Sequence, residues 1–256
     1  MGSYFIYDSI NQYRSDNTVS EGQMTDSATP TFSATSTITD HERASDQNIS
    51  TIISAVVDRD AIEYAVGSSV TTNAAAVYFT GDDNVSSGTI MNFFVDTDRA
   101  SLPNKGTITA VSAAGWATTN LTETTGTKFF VEFTGAVTNV SEVLIGKKLT
   151  FEIEPDVNIQ SSINYQNSIQ KSLGGVEYAL NINPGQEEIT IGFQNISSTF
   201  KDALVEMQNQ LKGESKKLLY FDGSNYHWCR LGKSMVFTEI ADGRWSTQIK
   251  MRQQIQ

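Results

Sequence analysis

The stretch 218-LLYFDGSNYHWCRLGKSMVFTEIADGRWSTQIKMR-252 decides how the C-terminal part of the chain folds. It reads as short strands separated by turns, with Asp222-Gly223 and Asp242-Gly243 as the turn pairs, because glycine readily supplies the positive φ that a tight hairpin needs. Within Trp245–Met251, apolar and polar side chains alternate, which is what a sheet with one buried face requires. The stretch holds no arrangement typical of an active site and therefore predicts a scaffold.

The composition indicates a β-rich protein with an uneven charge. The chain has 256 residues, a net charge of −11 and only 18% charged residues. Residues 1–160 contain 8 Lys and Arg against 20 Asp and Glu, whereas residues 161–256 contain 10 and 9. Binding to nucleic acid requires a basic patch that displaces counterions. We therefore expect no nucleic-acid partner, and two units with different surroundings.

Cysteine content and hydropathy indicate in which cellular compartment the protein is made. Cys229 is the only cysteine, so no intrachain disulfide framework is expected. No apolar run approaches the roughly 18 residues of a membrane-spanning helix, which predicts no membrane insertion. These features predict a protein that is made, and assembles, in a reducing cytosol.

Turn signals divide the chain into three predicted parts. Residues 1–50 are polar and read as an extended N-terminal arm or loop that packs on a neighbour or stays disordered, with a short edge strand near Thr31–Thr35. Residues 51–157 form a series of short apolar runs at spacings of roughly 8–14 residues, with turn signals that include Gly67-Ser68 and Gly126. This pattern, with no convincing helix, predicts a β-sandwich or jelly roll.

Residues 158–256 are predicted to form a second antiparallel β domain with one packed α-helix. The helix follows the strand Ile189–Phe193, with Thr199 as its N-cap and Asp202 at the capping-box position. Gly213 is the predicted glycine after the C-terminus. The residues expected on the buried face of the helix are Phe200, Ala203, Leu204, Met207 and Leu211.

The only pairing that suggests nucleophilic catalysis is His227 with Cys229. They alternate onto the same strand face, so a base and a nucleophile are predicted to be neighbours. Same-face neighbours on a strand point parallel rather than at each other, and no third group is present to orient the histidine. We therefore favour a structural role for both residues.

Clustered oxygens suggest two candidate cation sites, Asp96 with Asp98 and the loop Asp82-Asp83-Asn84. Carboxylates in loops are the ligands that Ca²⁺ prefers, but neither site has the full ligand series of a calcium loop, so solvated turns are favoured. One cysteine and two distant histidines give no zinc-ligand spacing, and Gly174-Gly175 lacks the lysine of a phosphate-binding loop. No cofactor is expected.

Three residues form the candidate site for a glycan: Trp116, Asn120 and Asp82. A tryptophan exposed in a loop suits stacking on a sugar ring, and amide and carboxylate groups can bind its hydroxyls. A tryptophan in the core of a jelly roll explains Trp116 equally well.

Several phrases, taken in order, resemble a group of tailed-bacteriophage structural proteins. VSEVLIGKKLTFEIEPD (140–156) is similar to the end of a jelly-roll module of the galactose-binding type. NSIQKSLGGVEYALNINPGQEEITIGFQNIS (167–197) resembles the opening of a tail-tip domain, and TFKDALVEMQNQLKG occupies the helix position expected there. The closing strands with their Gly-Arg-Trp-Ser turn (243–246) resemble those of distal-tail or baseplate hub domains.

The resemblance implies a non-enzymatic component of the phage virion tail. The C-terminal domain would join a homo-oligomeric ring through β edges and apolar faces, beside other tail proteins, after assembly in the bacterial host cytoplasm. Two other hypotheses stay open. One is a carbohydrate-binding adhesin module that recognises host surface glycans through residues 51–157. The other, the least favoured, is a hydrolase that would lose activity on His227→Ala.

Overall fold

The computed structural model describes residues 2–9, 29–32, 49–50, 61–81, 90–95, 104–109, 113–134, 139–156, 160–164, 167–171, 177–181 and 186–253. The chain is mainly antiparallel β with one helix in these ranges, which confirms the predicted fold class. It divides into an N-terminal unit, Tyr4–Leu149, and a C-terminal unit, Thr150–Gln256 with Met1–Ser3. The predicted domain limits at residues 50 and 157 remain predictions.

The N-terminal unit is built from seven described strands. They are β1 (Tyr4–Asp8), β2 (Thr29–Phe32), β3 (Ala61–Phe79), β4 (Ile90–Val95), β5 (Gly106–Thr109), β6 (Gly115–Thr134) and β7 (Val140–Thr150). Their order in the sheet is β5-β4-β6-β3-β7-β1, and β2 pairs with the first half of β3. Strands β1 and β2 both fall within the predicted N-terminal arm, and all five side chains of β1 are buried.

Two long strands, β3 and β6, organise this unit. Gly67-Ser68 and Gly126 were expected to be turns, and this expectation is wrong, because both lie inside these continuous strands. Pairing of β3 with β6 shifts register between Ala65 and Val70, and again between Thr72 and Ala74. A strand tolerates glycine at such an irregularity, where the ladder is locally interrupted and the strand bends.

One hydrophobic core fills the N-terminal unit. Both halves of β3 contribute to it, through Ile62 and Tyr64 before the register shifts and Val77 and Phe79 after them. Side chains from β4, β5, β6 and β7 pack in the same cluster. Because the two halves of the long strands enclose one core, the sheet folds over on itself as a β-sandwich.

The described residues of the C-terminal unit form eight strands and one helix. They are β8 (Gln160–Asn164), β9 (Asn167–Lys171), β10 (Glu177–Asn181), β11 (Gln186–Ser197), α1 (Ser198–Gln210), β12 (Lys217–Phe221), β13 (Tyr226–Leu231), β14 (Phe237–Ala241) and β15 (Arg244–Gln253). The sheet order is β12-β13-β15-β11-β8, with β14 paired to the first half of β15. Strands β9 and β10 form a separate two-stranded sheet.

The N-cap of helix α1 lies two residues before the position that the sequence analysis predicted. The N-cap is Ser197, whose hydroxyl accepts a hydrogen bond from the Phe200 amide at 3.1 Å, so the prediction of Thr199 is wrong. The chain offers three consecutive hydroxyl residues here, and Ser197 alone keeps an extended backbone, as a cap requires. The predicted buried face is confirmed at Phe200, Leu204, Met207 and Leu211, while Ala203 is only partly buried.

An aromatic cluster joins the helix to the sheet in the C-terminal unit. The Phe193 ring of β11 packs edge-on against Phe151 and Phe200, with centroids 5.0 and 5.7 Å away. The ring of Tyr220 on β12 stacks on Phe151 at 6.2 Å. Edge-to-face pairs of this kind add to the free energy gained by burying the rings.

Both predicted turn pairs of the opening stretch are confirmed. Gly223 and Gly243 adopt φ of 100° and 66°, in the left-handed region that favours glycine. In β15 the side chains of Thr247, Ile249 and Met251 are buried and those between them are exposed, as the alternation predicts.

Candidate carbohydrate-binding site

The structure places two of the three predicted glycan residues on one strand of the N-terminal unit. Trp116 and Asn120 both belong to β6, four residues apart, with Thr118 between them. Side chains two and four residues apart on a strand share a face, and four residues span about 13 Å. Trp116 is half-buried and Asn120 is exposed. The third residue, Asp82, lies outside the described residues.

Trp116 packs against a second aromatic residue on the neighbouring strand. It faces Tyr78 of β3 in the β3–β6 register, and the two rings meet edge to face with centroids 5.3 Å apart. Tyr78 is buried, and this burial raises the pKa of its hydroxyl. The folded state therefore favours the neutral phenol.

Asn120 is held by a lysine from β7. The Lys148 ammonium donates to the Asn120 Oδ1 atom at 3.1 Å and lies 4.0 Å from the centre of the Tyr4 ring. The Tyr4 hydroxyl is in turn 3.4 Å from the Thr118 hydroxyl. A cation over an aromatic face is attracted by the ring quadrupole, so Tyr4 helps to fix the position of the ammonium.

These side chains form what we call the polar aromatic face: Tyr4, Tyr78, Trp116, Thr118, Asn120 and Lys148. Burial lowers the pKa of the Lys148 ammonium, because removing water penalises the charged form. The amide nitrogen of Asn120 has no hydrogen-bond partner within the described part of the chain. The face thus combines aromatic rings, an ammonium donor, hydroxyls and an amide.

Sequence reasoning missed Tyr4 and Lys148, and no local signal identifies them. Tyr4 lies in the polar segment that was interpreted as an arm, 114 residues from Thr118. Lys148 lies 28 residues from Asn120 and reaches it only because β6 and β7 flank β3 on opposite sides. Such contacts depend on strand order, which single-residue patterns do not reveal.

The structure does not arrange His227 and Cys229 as a catalytic pair. Cys229 is fully buried, and burial, followed by the charge of Glu187, raises the pKa of its thiol. The His227 ring is instead engaged at both nitrogens, by Asp222 Oδ2 at 3.0 Å and by Gln253 Oε1 at 3.2 Å. A protonated, inaccessible thiol is not a nucleophile. This contact pattern supports the structural role favoured above.

Asp222 is the residue that fixes the β12–β13 turn. Its Oδ1 atom accepts hydrogen bonds from the Ser224 and Asn225 amides, both at 2.7 Å, while Oδ2 contacts His227. Partial burial acts to raise the pKa of Asp222, but the hydrogen bonds from His227, Asn225 and Ser224 outweigh it and lower the pKa. The folded state therefore favours the ionised carboxylate.

Replacing Asp222 with alanine is expected to cost about 1–3 kcal/mol of unfolding free energy, because charge-assisted hydrogen bonds are lost. Since the folded pKa is lowered, the stabilisation is present above the unfolded value near 3.8 and disappears as the pH falls through the folded pKa. Urea unfolding at pH 7 and pH 3 measures both effects. Asp242→Ala, in the exposed second turn, is the matched control and should change stability by less than about 0.5 kcal/mol. Equal losses for the two variants would contradict this role.

The structure does not test the two candidate cation sites. Asp82, Asp83, Asn84, Asp96 and Asp98 all lie outside the described residues. Within the described ranges, no group of three or more His, Cys, Asp or Glu side chains is placed to hold a metal ion. The described residues contain no helix with the length and apolar character needed to span a membrane.

Comparisons with known proteins give only structural neighbours. No family model matches the sequence, and no curated protein matches it. A carbohydrate-binding module of AlyQ, solved with 4,5-unsaturated mannuronic acid, is 21% identical, with a TM-score of 0.39 over 50% of this chain and 97% of that one. A module of Clostridium perfringens NanJ, solved with galactose, is 13% identical, with a TM-score of 0.37 over 48% of this chain and 98% of that one.

A truncated AlyQ with its binding module and alginate lyase domain is 17% identical, with a TM-score of 0.41. The match covers 88% of this chain and 56% of that one. These neighbours agree with the jelly-roll part of the resemblance, and none of the comparisons links the chain to phage tails. Carbohydrate-binding modules are themselves non-catalytic. At such TM-scores the likeness carries no argument about ligand or activity.

Proposed function

We propose that the N-terminal unit is a carbohydrate-binding module and that sugar binds on the polar aromatic face. The observation that carries the proposal is the Lys148 ammonium, held 3.1 Å from Asn120 and over the Tyr4 ring, on the face that also presents Trp116. Sugar hydroxyls both donate and accept hydrogen bonds, so they match a face that offers an ammonium, an amide and hydroxyls. The Trp116 ring supplies the apolar surface for the C–H side of a sugar ring.

The arrangement favours a fixed site over an adaptable one. The Lys148 backbone amide donates to Asn73 Oδ1 at 2.7 Å, which anchors the strand end that carries the ammonium. Contacts with Tyr78 and Tyr4 restrict the Trp116 ring and the lysine side chain before any ligand arrives. Side chains that are already ordered lose less conformational entropy when they bind.

Glycan-array binding by the full chain tests the proposal, with Trp116→Ala as the decisive variant. We expect the wild-type protein to bind one class of glycan on the array. Trp116→Ala should bind that class with an affinity lower by at least about tenfold, which corresponds to about 1.4 kcal/mol. Trp245→Ala is the matched control: it removes another half-buried tryptophan, which lies in the C-terminal unit with the Lys201 ammonium 4.4 Å from its ring centre. The proposal would be overturned if the wild-type protein bound no glycan, or if Trp116→Ala bound the same glycans with the same affinity.

Asn120→Ala provides a second, milder test of the same face. The substitution leaves the exposed strand position intact but removes the amide and the acceptor of the Lys148 hydrogen bond. We expect a loss of about 1 kcal/mol in glycan-binding free energy, the usual size of one hydrogen bond. Thr107→Ala, at an exposed position on β5, should bind as the wild type does. Titration calorimetry with the array ligand measures both variants.

A second candidate function is self-assembly through the C-terminal unit, which the resemblance to tail-ring proteins also implies. The observation that favours it is the position of the large hydrophobic side chains that are most exposed in the described ranges: Ile163 at 60%, Val236 at 70% and Ile240 at 53%. Ile163 lies on β8, Ile240 on β14 and Val236 just before β14. Strands β8 and β14 are each paired on one side only among the described strands, so each leaves an open edge.

We propose that β14 of one copy pairs with β8 of the next. An unpaired strand edge with exposed aliphatic side chains is a template for pairing with another chain. Pairing between two different edges is head-to-tail, so it closes into a ring or continues as a filament. A place in a phage virion tail is an extension of this proposal and depends on it.

Mixing two edge variants distinguishes this assembly from other modes. Ile240→Lys should block the β14 edge and Ile163→Lys the β8 edge, so each variant alone should be monomeric by light scattering. Their equimolar mixture should form dimers and no larger species, since one complementary pair of edges survives. Asn209→Lys, an exposed helix position, is the charge-matched control and should assemble as the wild type does. A wild type that is monomeric at every concentration would contradict the proposal.

A further inference from the structure

The C-terminal unit contains a polar groove that is separate from the polar aromatic face and shares only Val236 with the residues named for self-assembly. It has a volume of about 370 Å³ and runs across the β11, β15 and β14 strands. This volume lies within the range of small-molecule sites, roughly 300–1,000 Å³. The side chains that line it and bear chemistry are Asp156, Gln194, Lys233, Thr238, Ser246 and Gln248.

Strand register explains why these side chains meet. Gly192 pairs with Gln248 across β11 and β15, and Ser246 pairs with Thr238 across β15 and β14. Gln194 shares the face of Gly192, because it lies two residues further along β11. Glycine at position 192 leaves a depression in the sheet, since a Cβ there would lie 3.2 Å from the Asp156 Oδ2 atom.

Hydrogen bonds hold the two walls of the groove. The Asp156 amide donates to the Gly192 carbonyl at 2.9 Å, which fixes the carboxylate at the edge of the depression. On the other side, the Thr247 hydroxyl donates to the Val236 carbonyl at 2.8 Å, and the Met235 amide donates to Gln208 Oε1 at the same distance. The groove is therefore formed before any ligand arrives.

The polar groups at the groove are available for a ligand. Within the described part of the chain, the side chains of Asp156, Lys233, Gln194 and Gln248 make no hydrogen bond or ion pair with one another or with other residues. One carboxylate and one ammonium cancel in charge, which argues against an anionic ligand such as phosphate. The carboxylate only accepts, the ammonium only donates and the amides do both, so a ligand that satisfies them all needs groups that donate and accept.

We infer that this groove binds a neutral sugar of one or two rings, at a site separate from the polar aromatic face. Hydroxyls are the groups that both donate and accept, and the exposed Val236 side chain offers an apolar patch for the C–H side of the ring. The groove presents no exposed aromatic ring, because Phe193 is buried beneath it. Without a stacking ring the binding is expected to be weak, with Kd in the millimolar range.

The experiment is an NMR titration of the full chain that follows the Gly192 amide and the side-chain amides of Gln194 and Gln248. The probes are glucose, galactose, mannose and N-acetylglucosamine at up to about 50 mM, well above a millimolar Kd. Glycine and inorganic phosphate are the zwitterionic and anionic probes. We expect at least one sugar to shift all three resonances saturably, and neither glycine nor phosphate to shift them.

Two variants show whether the shifts come from the groove. Gln248→Ala removes an amide from an exposed strand position, and Gly192→Ala fills the depression; each should weaken the sugar shifts at the remaining groove resonances at least fivefold. Gln210→Ala, at the end of the helix, is the matched control. Trp116→Ala should leave the groove shifts unchanged even though it weakens binding at the polar aromatic face. Shifts that persist in Gln248→Ala and Gly192→Ala, the absence of shifts with every sugar, or shifts with glycine or phosphate alone would overturn the inference.

Discussion

Replacing Gly146 with alanine is expected to destabilise the N-terminal unit by about 3 kcal/mol or more, at or above the usual upper limit for overpacking. A Cβ at this position on β7 would overlap the carbonyl oxygen of Tyr7 and lie 2.8 Å from its carbonyl carbon and 3.1 Å from the Ser9 amide nitrogen. All three atoms belong to the backbone of β1 or its end, so no side-chain rotation relieves the clash. The β1 strand, which is buried throughout, must move away.

Hydrogen exchange followed by mass spectrometry measures this effect in each unit separately. Peptides from β1, β3 and β7 should lose protection in Gly146→Ala, because opening of a unit exposes its own amides first. Gly232→Ala is the control, since the new methyl group would lie 3.5 Å or more from the nearest atoms, an ordinary contact. Unchanged protection of β1 and β7 in Gly146→Ala would contradict the close approach of these two strands.

Phe193→Ala is expected to destabilise the C-terminal unit by about 3–5 kcal/mol, the usual cost of deleting a buried phenylalanine ring. Phe193 is 1% exposed, and its ring contacts both the Phe151 and Phe200 rings. Its loss opens a cavity at the junction of the helix and the sheet and removes two edge-to-face contacts at once. The helix α1 should therefore lose most of its protection along with β11.

Phe193→Leu separates the loss of volume from the loss of aromatic contacts. Leucine keeps most of the buried volume, so we expect a cost of about 1–1.5 kcal/mol. Urea unfolding followed by circular dichroism, combined with hydrogen exchange of the α1 peptide, measures both variants. If Phe193→Ala cost no more than Phe193→Leu, the aromatic cluster would not be what holds the helix to the sheet.

Sequence patterns predict the local features of this fold well. The alternation in β15, the buried face of α1 and the two Asp-Gly turns depend on residues close together in the chain, and they are confirmed except at Ala203, which is only partly buried. Each follows from a period of two or 3.6 or from the φ preference of glycine. The cap of α1 was misplaced because Ser197, Ser198 and Thr199 are all good caps, and only backbone geometry distinguishes them.

Long-range features are the ones that the patterns miss. Gly67 and Gly126 resemble turn residues in the sequence, but both lie inside strands that continue on either side of them. The pairing of β3 with β6 accommodates this by shifting register between Ala65 and Val70 and between Thr72 and Ala74. At the polar aromatic face, Trp116 and Asn120 were selected by residue type, while Tyr4 and Lys148 enter only through the order of strands in the sheet. A binding face assembled from four strands cannot be read from any one of them.

The most direct test of carbohydrate binding by this protein uses its three tryptophans, Trp116, Trp228 and Trp245. Their indole N–H resonances are few enough to assign by single substitution, and each tryptophan sits in a different environment. We would titrate the full chain with each glycan that it binds on the array. Binding at the polar aromatic face predicts a saturable shift of the Trp116 resonance while those of the buried Trp228 and of Trp245 stay in place. A Trp116 resonance that does not move while the glycan binds would contradict the proposed function.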